Sequence, residues 1–338
     1  CTFEDVRTSI EKWGDVYISD GVFNFWSGIT INKPVNIIWN GKEKTKLYFK
    51  VDNNTPAIRI LSSNVNIKDI EIEVNLEVPL GSDWWRWEYA TAVTVWKYYS
   101  DEKMPSIQNV NIENAALNRN VKSYTAGWVT LMWNVSHSSF KYISMKWMHS
   151  TSFILHWGWY SSFDSTKMPA PDIISNPNYK LYETYHPNNI EIAHIDVEKN
   201  TRFMIISSSY DINVHDINWD FSSLLFLLPW DEGNLYSILE QKDKIMSNIL
   251  LNNIQASIFR KDNWINHVIK TSSYGTSKID FEKRLFPMNN LSFTNISLDN
   301  IESAAYKNYR YWFDMNETYW TNIVLNNIDL WDIGKNQY

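Results

Sequence analysis

The sequence predicts an all-β chain, a single-stranded right-handed parallel β-helix with a short N-terminal capping helix. Three observations carry this prediction. A nine-residue pattern, Asn, apolar, any, apolar, any, small polar, apolar, any, apolar, recurs along the chain. The intervals between its copies are irregular, as in a solenoid whose coils carry insertions of different length. Each copy holds two short alternating segments whose apolar residues point the same way, the spacing of strands rather than helices.

At the N-terminus, "TFEDVRTSIEKW" places Phe3, Val6, Ile10 and Trp13 at three- and four-residue spacing, with Thr2 and Asp5 approximating a capping box. A solenoid must cover its first coil, because an open end exposes core and strand edges. Residues 1–20 are therefore read as a cap and residues 21–338 as the β-helix. "GDVYISDGVFNFWSGITINKPVNIIWNGKEKTKLYFK" follows, with short alternating strands and an Asp20-Gly21 turn.

The repeats then take over: "NVNIKDIEI" from Asn64, "NVNIENAAL" from Asn109, "SFKYISMKW" from Ser139 and "NIEIAHIDV" from Asn189. After them come "DINVHDINW" from Asp211, "NILLNNIQA" from Asn248, "NLSFTNISL" from Asn290 and "NIVLNNIDL" from Asn322. The sixth position of each copy joins its two strands: Asp69, Asn114, Ser144, His194, Asp216, Asn253, Asn295 and Asn327. Asn and Asp tolerate left-handed backbone and bond their own turns, so stacked coils would form a polar ladder at this corner.

A third strand follows in most coils, for example "AVTVWKYY", "WVTLMWN", "FILHWGWY", "RFMIISSS" and "LLFLLPWDE". Insertions cluster around it at about 75–91, 160–188, 231–246 and 271–287. Loops recurring on one side of a solenoid wall off a groove, and function tends to sit there.

With these repeats, its N-terminal helix and the "ITINKPVNIIWNG" segment, the chain resembles the pectate-lyase-like superfamily of right-handed parallel β-helices over nearly its whole length. The resemblance is one of architecture. It implies polysaccharide lyases, polysaccharide hydrolases, uronate epimerases, or the tailspikes with which bacteriophages degrade capsules and O-antigen. The chain departs from the commoner members in its 10 Gly and 18 Trp.

Composition narrows the function classes. A net charge of −7 argues against binding to nucleic-acid phosphates. The single cysteine, Cys1, excludes an internal disulfide. The longest apolar run, Leu224 to Trp230, is far shorter than the ~18 residues of a membrane span. The resemblance implies an extracellular, virion-tail or cell-surface location, and a leading Cys, where bacterial lipoproteins carry their lipid, makes Cys1 a candidate for such an anchor. With 18 Trp and 19 Tyr, the chain holds more aromatic surface than a slim solenoid core usually buries, and some should be exposed and have a partner.

That partner is expected to be a polysaccharide. Trp84, Trp85 and Trp87 with Arg86, in "GSDWWRWEY", offer flat apolar faces beside hydrogen-bonding groups, which suit the C–H face and hydroxyl fringe of a sugar. Trp133, Trp157, Trp159 and Trp230, with His156, arrive at similar points of successive third strands. At ~4.8 Å per coil they would form a stripe matched to an extended polymer. Internal stacking of some of these rings is the competing reading.

Glycoside hydrolysis needs two carboxyl groups, about 5–5.5 Å apart for retention or about 6.5–9.5 Å for inversion. Asp231 and Glu232 end a third strand beside Trp230, and Asp164 lies just beyond the equivalent strand two coils earlier; these are the candidate catalytic residues. A lyase would instead need a base and a cation beside a uronate carboxylate, for which His156, Lys97, Arg202 and Lys270 are available. A non-catalytic adhesin would use the aromatics only to bind. His149, His156, His186, His194 and His215 lack metal-ligand spacing, so no metal and no other cofactor is expected. A tailspike-like protein would be a homotrimer; otherwise a monomer is expected.

Overall fold

A computed structural model describes residues 3–51, 56–76, 91–95, 99–100, 106–119, 127–132, 134–146, 151–156, 158–161, 182–207, 209–230, 246–258, 267–273, 286–299, 311–315 and 318–329. These residues are almost all β, with one short helix, Phe3–Ile10. The helix turns Val6 and Ile10 into the core beside strands Gly14–Ile18 and Gly21–Phe25. It ends before Trp13, which the periodicity assigns to its apolar face and which is 79% exposed.

The strands stack in parallel, coil upon coil. Gly14–Ile18 pairs with Val35–Trp39, and that strand pairs with Val65–Leu76. The stack continues through Val110–Arg119, Val135–Lys146, Asn188–Ser207, Tyr210–Trp230, Ser247–Ile258, Phe286–Asp299 and Thr318–Asp329. Third strands make their own parallel stack, from Ile29–Ile31 through Ile58–Ile60, Thr91–Val95, Gly127–Met132 and Thr151–His156 to the ends of the two longest strands. It goes on through His267–Ser273 and Tyr311–Met315.

What bends each coil is visible in the backbone. Among the described residues, sixteen non-glycine positions have positive φ, in pairs five residues apart: 64/69, 109/114, 137/142, 189/194, 211/216, 248/253, 290/295 and 322/327. All are Asn or Asp except His137, Tyr142 and His194. Asn and Asp enter this region at low cost because their short polar side chains bond locally. Their amides also link coil to coil: Asn109 donates to Asn64 at 2.9 Å, Asn248 to Asp211 at 2.6 Å, Asn290 to Asn248 at 2.6 Å and Asn327 to Asn295 at 2.8 Å.

One coil corrects the register read from the sequence. The copy placed at Ser139, with its corner at Ser144, begins at His137 and turns at Tyr142. Tyr142 therefore stacks in phase with His194, since Lys141 lies opposite Ala193 and Ile143 opposite Ile195. Ser139 instead donates to Asn111 at 2.7 Å on the outer face. A template built on Asn and small polar residues prefers Ser to His and Tyr, and so slips by two.

Inside, like stacks on like. Ile143, Ile195, Ile217, Ile254 and Ile296 form one column of buried residues, each touching the coil before and after it. No single coil can bury its apolar face alone, so such columns are the source of stability in a stacked array. Phe25 lies on Phe49 at 4.8 Å between centroids, and Phe153 meets Phe140 and Phe203 edge-on. Among the described residues, aromatics such as Phe25, Phe49, Trp128 and Phe203 are internal, while Trp26, Tyr17 and Tyr142 are exposed.

The third strands Thr91–Val95 and Gly127–Met132, and Thr151–His156 up to its last residue, are buried on both faces, with Thr94, Thr130 and Ile154 covered as fully as their inward neighbours. Thr30 in Ile29–Ile31 is instead exposed, and Arg59 in Ile58–Ile60 is half-buried. Beside them is a small mixed sheet in which Gly158–Ser161 pairs antiparallel with Tyr182–Tyr185 and parallel with Tyr99–Ser100.

Candidate functional site

The first-to-second-strand corner carries a regular amide ladder over most of the stack. At two successive coils the ladder is interrupted by Tyr142 and His194. Their rings lie face to face, 4.5 Å between centroids and 6° from parallel. His194 in turn meets His215 edge-on at 5.8 Å. Left-handed backbone is tolerable for His but a genuine outlier for a residue as bulky as Tyr, and such strain clusters at functional positions.

Around these rings runs a chain of charged contacts. Lys141 Nζ lies 2.7 Å from Glu191 Oε2, and Glu191 Oε1 lies 3.2 Å from His215 Nε2. His215 Nδ1 lies 2.7 Å from Asp216 Oδ2, and the other oxygen of Asp216 accepts a hydrogen bond from Asn253. His194 Nδ1 faces the same Asp216 oxygen at 3.7 Å. The hydrogen bond from Lys141, followed by that from His215, holds Glu191 below the usual carboxylate range despite its partial burial. Hydrogen bonds from His215 and then Asn253 do the same for Asp216.

Tyr142, His194, Asp216 and Asn253 border a cavity of about 380 Å³. Its lining follows two columns: Asn114, Tyr142, His194, Asp216 and Asn253 at the corner, and Ser144, Asp196, Asn218 and Gln255 one step along the second strands. Lys42 reaches in from the turn between Val35–Trp39 and Thr45–Val51. Five consecutive coils contribute, so the cavity runs roughly 19 Å along the stacking axis at ~4.8 Å per coil. Asn218 donates to Asp196 at 3.3 Å, fixing one carboxylate on the floor of this groove.

Of the residues singled out from the sequence, Asp164, Asp231, Glu232, Trp84, Trp85, Arg86, Trp87, Trp133 and Trp157 fall outside the described residues. Trp159 stands opposite Thr184 and beside Tyr99 in the small sheet, and Trp230 stands opposite Ser273 at the end of its strand. His156 ends a third strand, half-buried and opposite Met132, and does not line the corner cavity. From the sequence, Asp216 is read as a turn residue, His194 as a turn residue and a histidine without metal-ligand spacing, and Tyr142, Glu191 and Asp196 carry no reading. The available signal was the departure from Asn and Asp at the corner, legible once the register is known.

No protein-family model matches this chain, and no curated protein matches it. Among solved structures the chain is similar to the catalytic domain of a GH87 alpha-1,3-glucanase in complex with nigerose, with 11% identity and a TM-score of 0.44. That match covers 96% of this chain and 63% of the other. It is also similar to Geobacillus virus E2 ORF18, with 10% identity and a TM-score of 0.42, covering 96% of this chain and 57% of that one. A third likeness is to an alginate lyase from Paenibacillus, with 7% identity and a TM-score of 0.39, covering 96% of this chain and 98% of the lyase. The chain thus spans less than two thirds of the length of the first two. No helix among the described residues is long and apolar enough to cross a membrane.

Proposed function

We propose that the chain is a right-handed parallel β-helix that acts outside the cytoplasm on a polysaccharide, cleaving it as a glycoside hydrolase. The handedness follows from the general rule for parallel strands joined by crossovers within one sheet. The observation that carries the functional reading is the groove along the stacking axis. It is long and narrow, it presents the exposed ring of Tyr142, and it is floored by amides and carboxylates at coil spacing. A sugar polymer supplies the matching surfaces, apolar ring faces for the aromatic and hydroxyls for the Asn, Gln and Asp groups.

Two placements of the hydrolytic carboxyl pair follow. In the groove itself Asp196 is the carboxylate aimed at bound polymer, with Asp216 on the neighbouring coil. In the sequence, Asp231 or Glu232 with Asp164 lies beyond the third strands, where the insertions at 160–188 and 231–246 follow, with Trp84, Trp85, Arg86, Trp87, Trp133, Trp157, Trp159 and Trp230 as the sugar-binding surface. One observation favours a lyase instead: Lys42, Tyr142 and His194 border the same cavity, a cation to neutralise a uronate carboxylate beside groups that move protons.

A cleavage screen on acidic and neutral bacterial polysaccharides decides among these, following reducing ends and ultraviolet absorbance together. Reducing ends without absorbance establish the hydrolase, and their loss in Asp196→Asn or in Asp231→Asn with Glu232→Gln places the catalytic pair. Absorbance of an unsaturated product establishes a lyase. Binding without any product overturns the enzyme reading in favour of an adhesin. Sedimentation of the same protein separates a tailspike-like trimer from a monomer.

A further inference from the structure

We propose that His194, His215 and Asp216 form a binding site for one divalent first-row transition ion of the zinc class. Their ligand atoms all lie within 4.8 Å of one another, on two adjacent coils. His194 Nδ1 and Asp216 Oδ2 are 3.7 Å apart. Two ligand atoms on a tetrahedral ion with bonds of about 2.0–2.1 Å stand about 3.3 Å apart, so this pair closes by only a few tenths of an ångström. The 2.7 Å contact between His215 Nδ1 and Asp216 must open by a similar amount, exchanging a hydrogen bond for a shared ion.

The groups behind the ligands are those such a site needs. A metal-bound histidine donates its remaining N–H to a carboxylate, which fixes the ring and raises its basicity. Glu191 Oε1 is in place for this at 3.2 Å from His215 Nε2, and Lys141 holds Glu191 from the far side at 2.7 Å. Asn253 holds the second oxygen of Asp216, leaving Oδ2 for the ion. The flat contact with Tyr142 sets the plane of His194. Two imidazole nitrogens and one carboxylate oxygen suit zinc, nickel or copper rather than calcium or magnesium, which take oxygen ligands. His194, Asp216 and Asn253 also line the cavity, so the open coordination positions would face it.

Sequence spacing hides this set. Between Asn189 and Asp211 the coil is 22 residues long, the shortest interval between copies, and coil stacking alone brings the two histidines together. The inference does not depend on the polysaccharide reading, and its test contains no polymer.

The whole chain, stripped with a chelator, is titrated with Zn²⁺ against a chromophoric competitor, and with Co²⁺ to read the ligand field. One ion per chain is expected, with a Co²⁺ visible spectrum of tetrahedral nitrogen and oxygen ligation. His215→Ala and Asp216→Asn should abolish saturation. Glu191→Gln keeps all three ligands and should weaken binding by about 10-fold or more, the usual cost of losing a carboxylate that orients a metal-bound histidine. His137→Ala, at the first corner of the preceding coil, should change nothing. His194→Gln with unchanged far-ultraviolet circular dichroism gives the same answer without altering the Asp216 turn. Absence of saturable binding, or binding indifferent to His194→Gln and Glu191→Gln, overturns the site.

Discussion

The ring of Tyr142 lies flat against that of His194, centroids 4.5 Å apart, at the two successive corners where the Asn and Asp ladder is broken. Both residues hold left-handed backbone, a conformation every other described second corner gives to Asn or Asp. A favourable turn residue has thus been replaced twice, side by side, in the groove that runs along this corner.

If the pair is a sugar platform, Tyr142→Asn should weaken polymer binding while leaving the fold in place. Asn suits the backbone and relieves the strain of a bulky residue there, offsetting the lost ring contact, so unfolding midpoints should move by less than about 1 kcal/mol. Loss of an aromatic face of this kind is worth about 0.5–1.5 kcal/mol, or up to about tenfold in affinity. Isothermal titration with the polymer that is cleaved measures it. Unchanged affinity would remove Tyr142 from the site.

His137 makes the converse case. It is exposed and left-handed, in the same corner column as Asn109 and Asn189. His137→Asn should complete that amide ladder, raising stability by about 0.5–1 kcal/mol. Urea unfolding should show a higher midpoint, with no change in polymer cleavage. A lower midpoint would mean that the His ring has its own role at this corner.

These two residues also show how far the sequence could be read. Parallel stacking was legible because left-handed corners leave a strong mark: Asn and Asp recur there, and apolar residues keep fixed offsets from them. The same preference misled the reading at Ser139, where His137 and Tyr142 occupy the corners and Ser mimics the pattern two residues late. The groove was not legible. Its members lie one coil apart, and coil length varies, so Tyr142, His194 and Asp216 carry no fixed spacing until stacking is known. The third strands Thr91–Val95 and Gly127–Met132, whose coils drew attention for their Trp residues, are buried on both faces, a fact that an apolar run of five or six residues does not announce.

Core substitutions should behave as in a stacked array. Ile195 is fully buried between Ile143 and Ile217. Ile195→Ala leaves a cavity that both neighbouring coils line, and should destabilise by about 2–5 kcal/mol. Ile254→Val removes one methylene from the same column and should cost about 0.5–1.5 kcal/mol. Chemical denaturation followed by tryptophan fluorescence and circular dichroism tests both. A cost for Ile195→Ala near that of Ile254→Val would show that the column relaxes into the gap.

Stability at high pH should depend on Lys46. Its ammonium lies 2.9 Å from Glu71 and 2.6 Å from Glu73, both on the coil stacked against it. Partial burial works against the charge, but the hydrogen bonds and attraction of Glu73 and Glu71 outweigh it and raise the group above its ordinary 10.5. The folded chain therefore keeps this proton to a higher pH than the unfolded chain does. The stabilisation is fully present below the ordinary value of 10.5 and is lost as pH rises through the raised one. Lys46→Met removes the charge, leaves Glu71 and Glu73 facing each other unpaired, and should cost about 1 kcal/mol at pH 7. The two proteins should then converge as pH rises through the raised value, because the wild type loses there what the variant already lacks. Urea midpoints measured from pH 8 to pH 11.5 test this, each pH comparing the two chains so that the other lysines and tyrosines cancel. A constant gap across the whole range would assign the effect of Lys46 to the packing of its methylene stem instead of its charge.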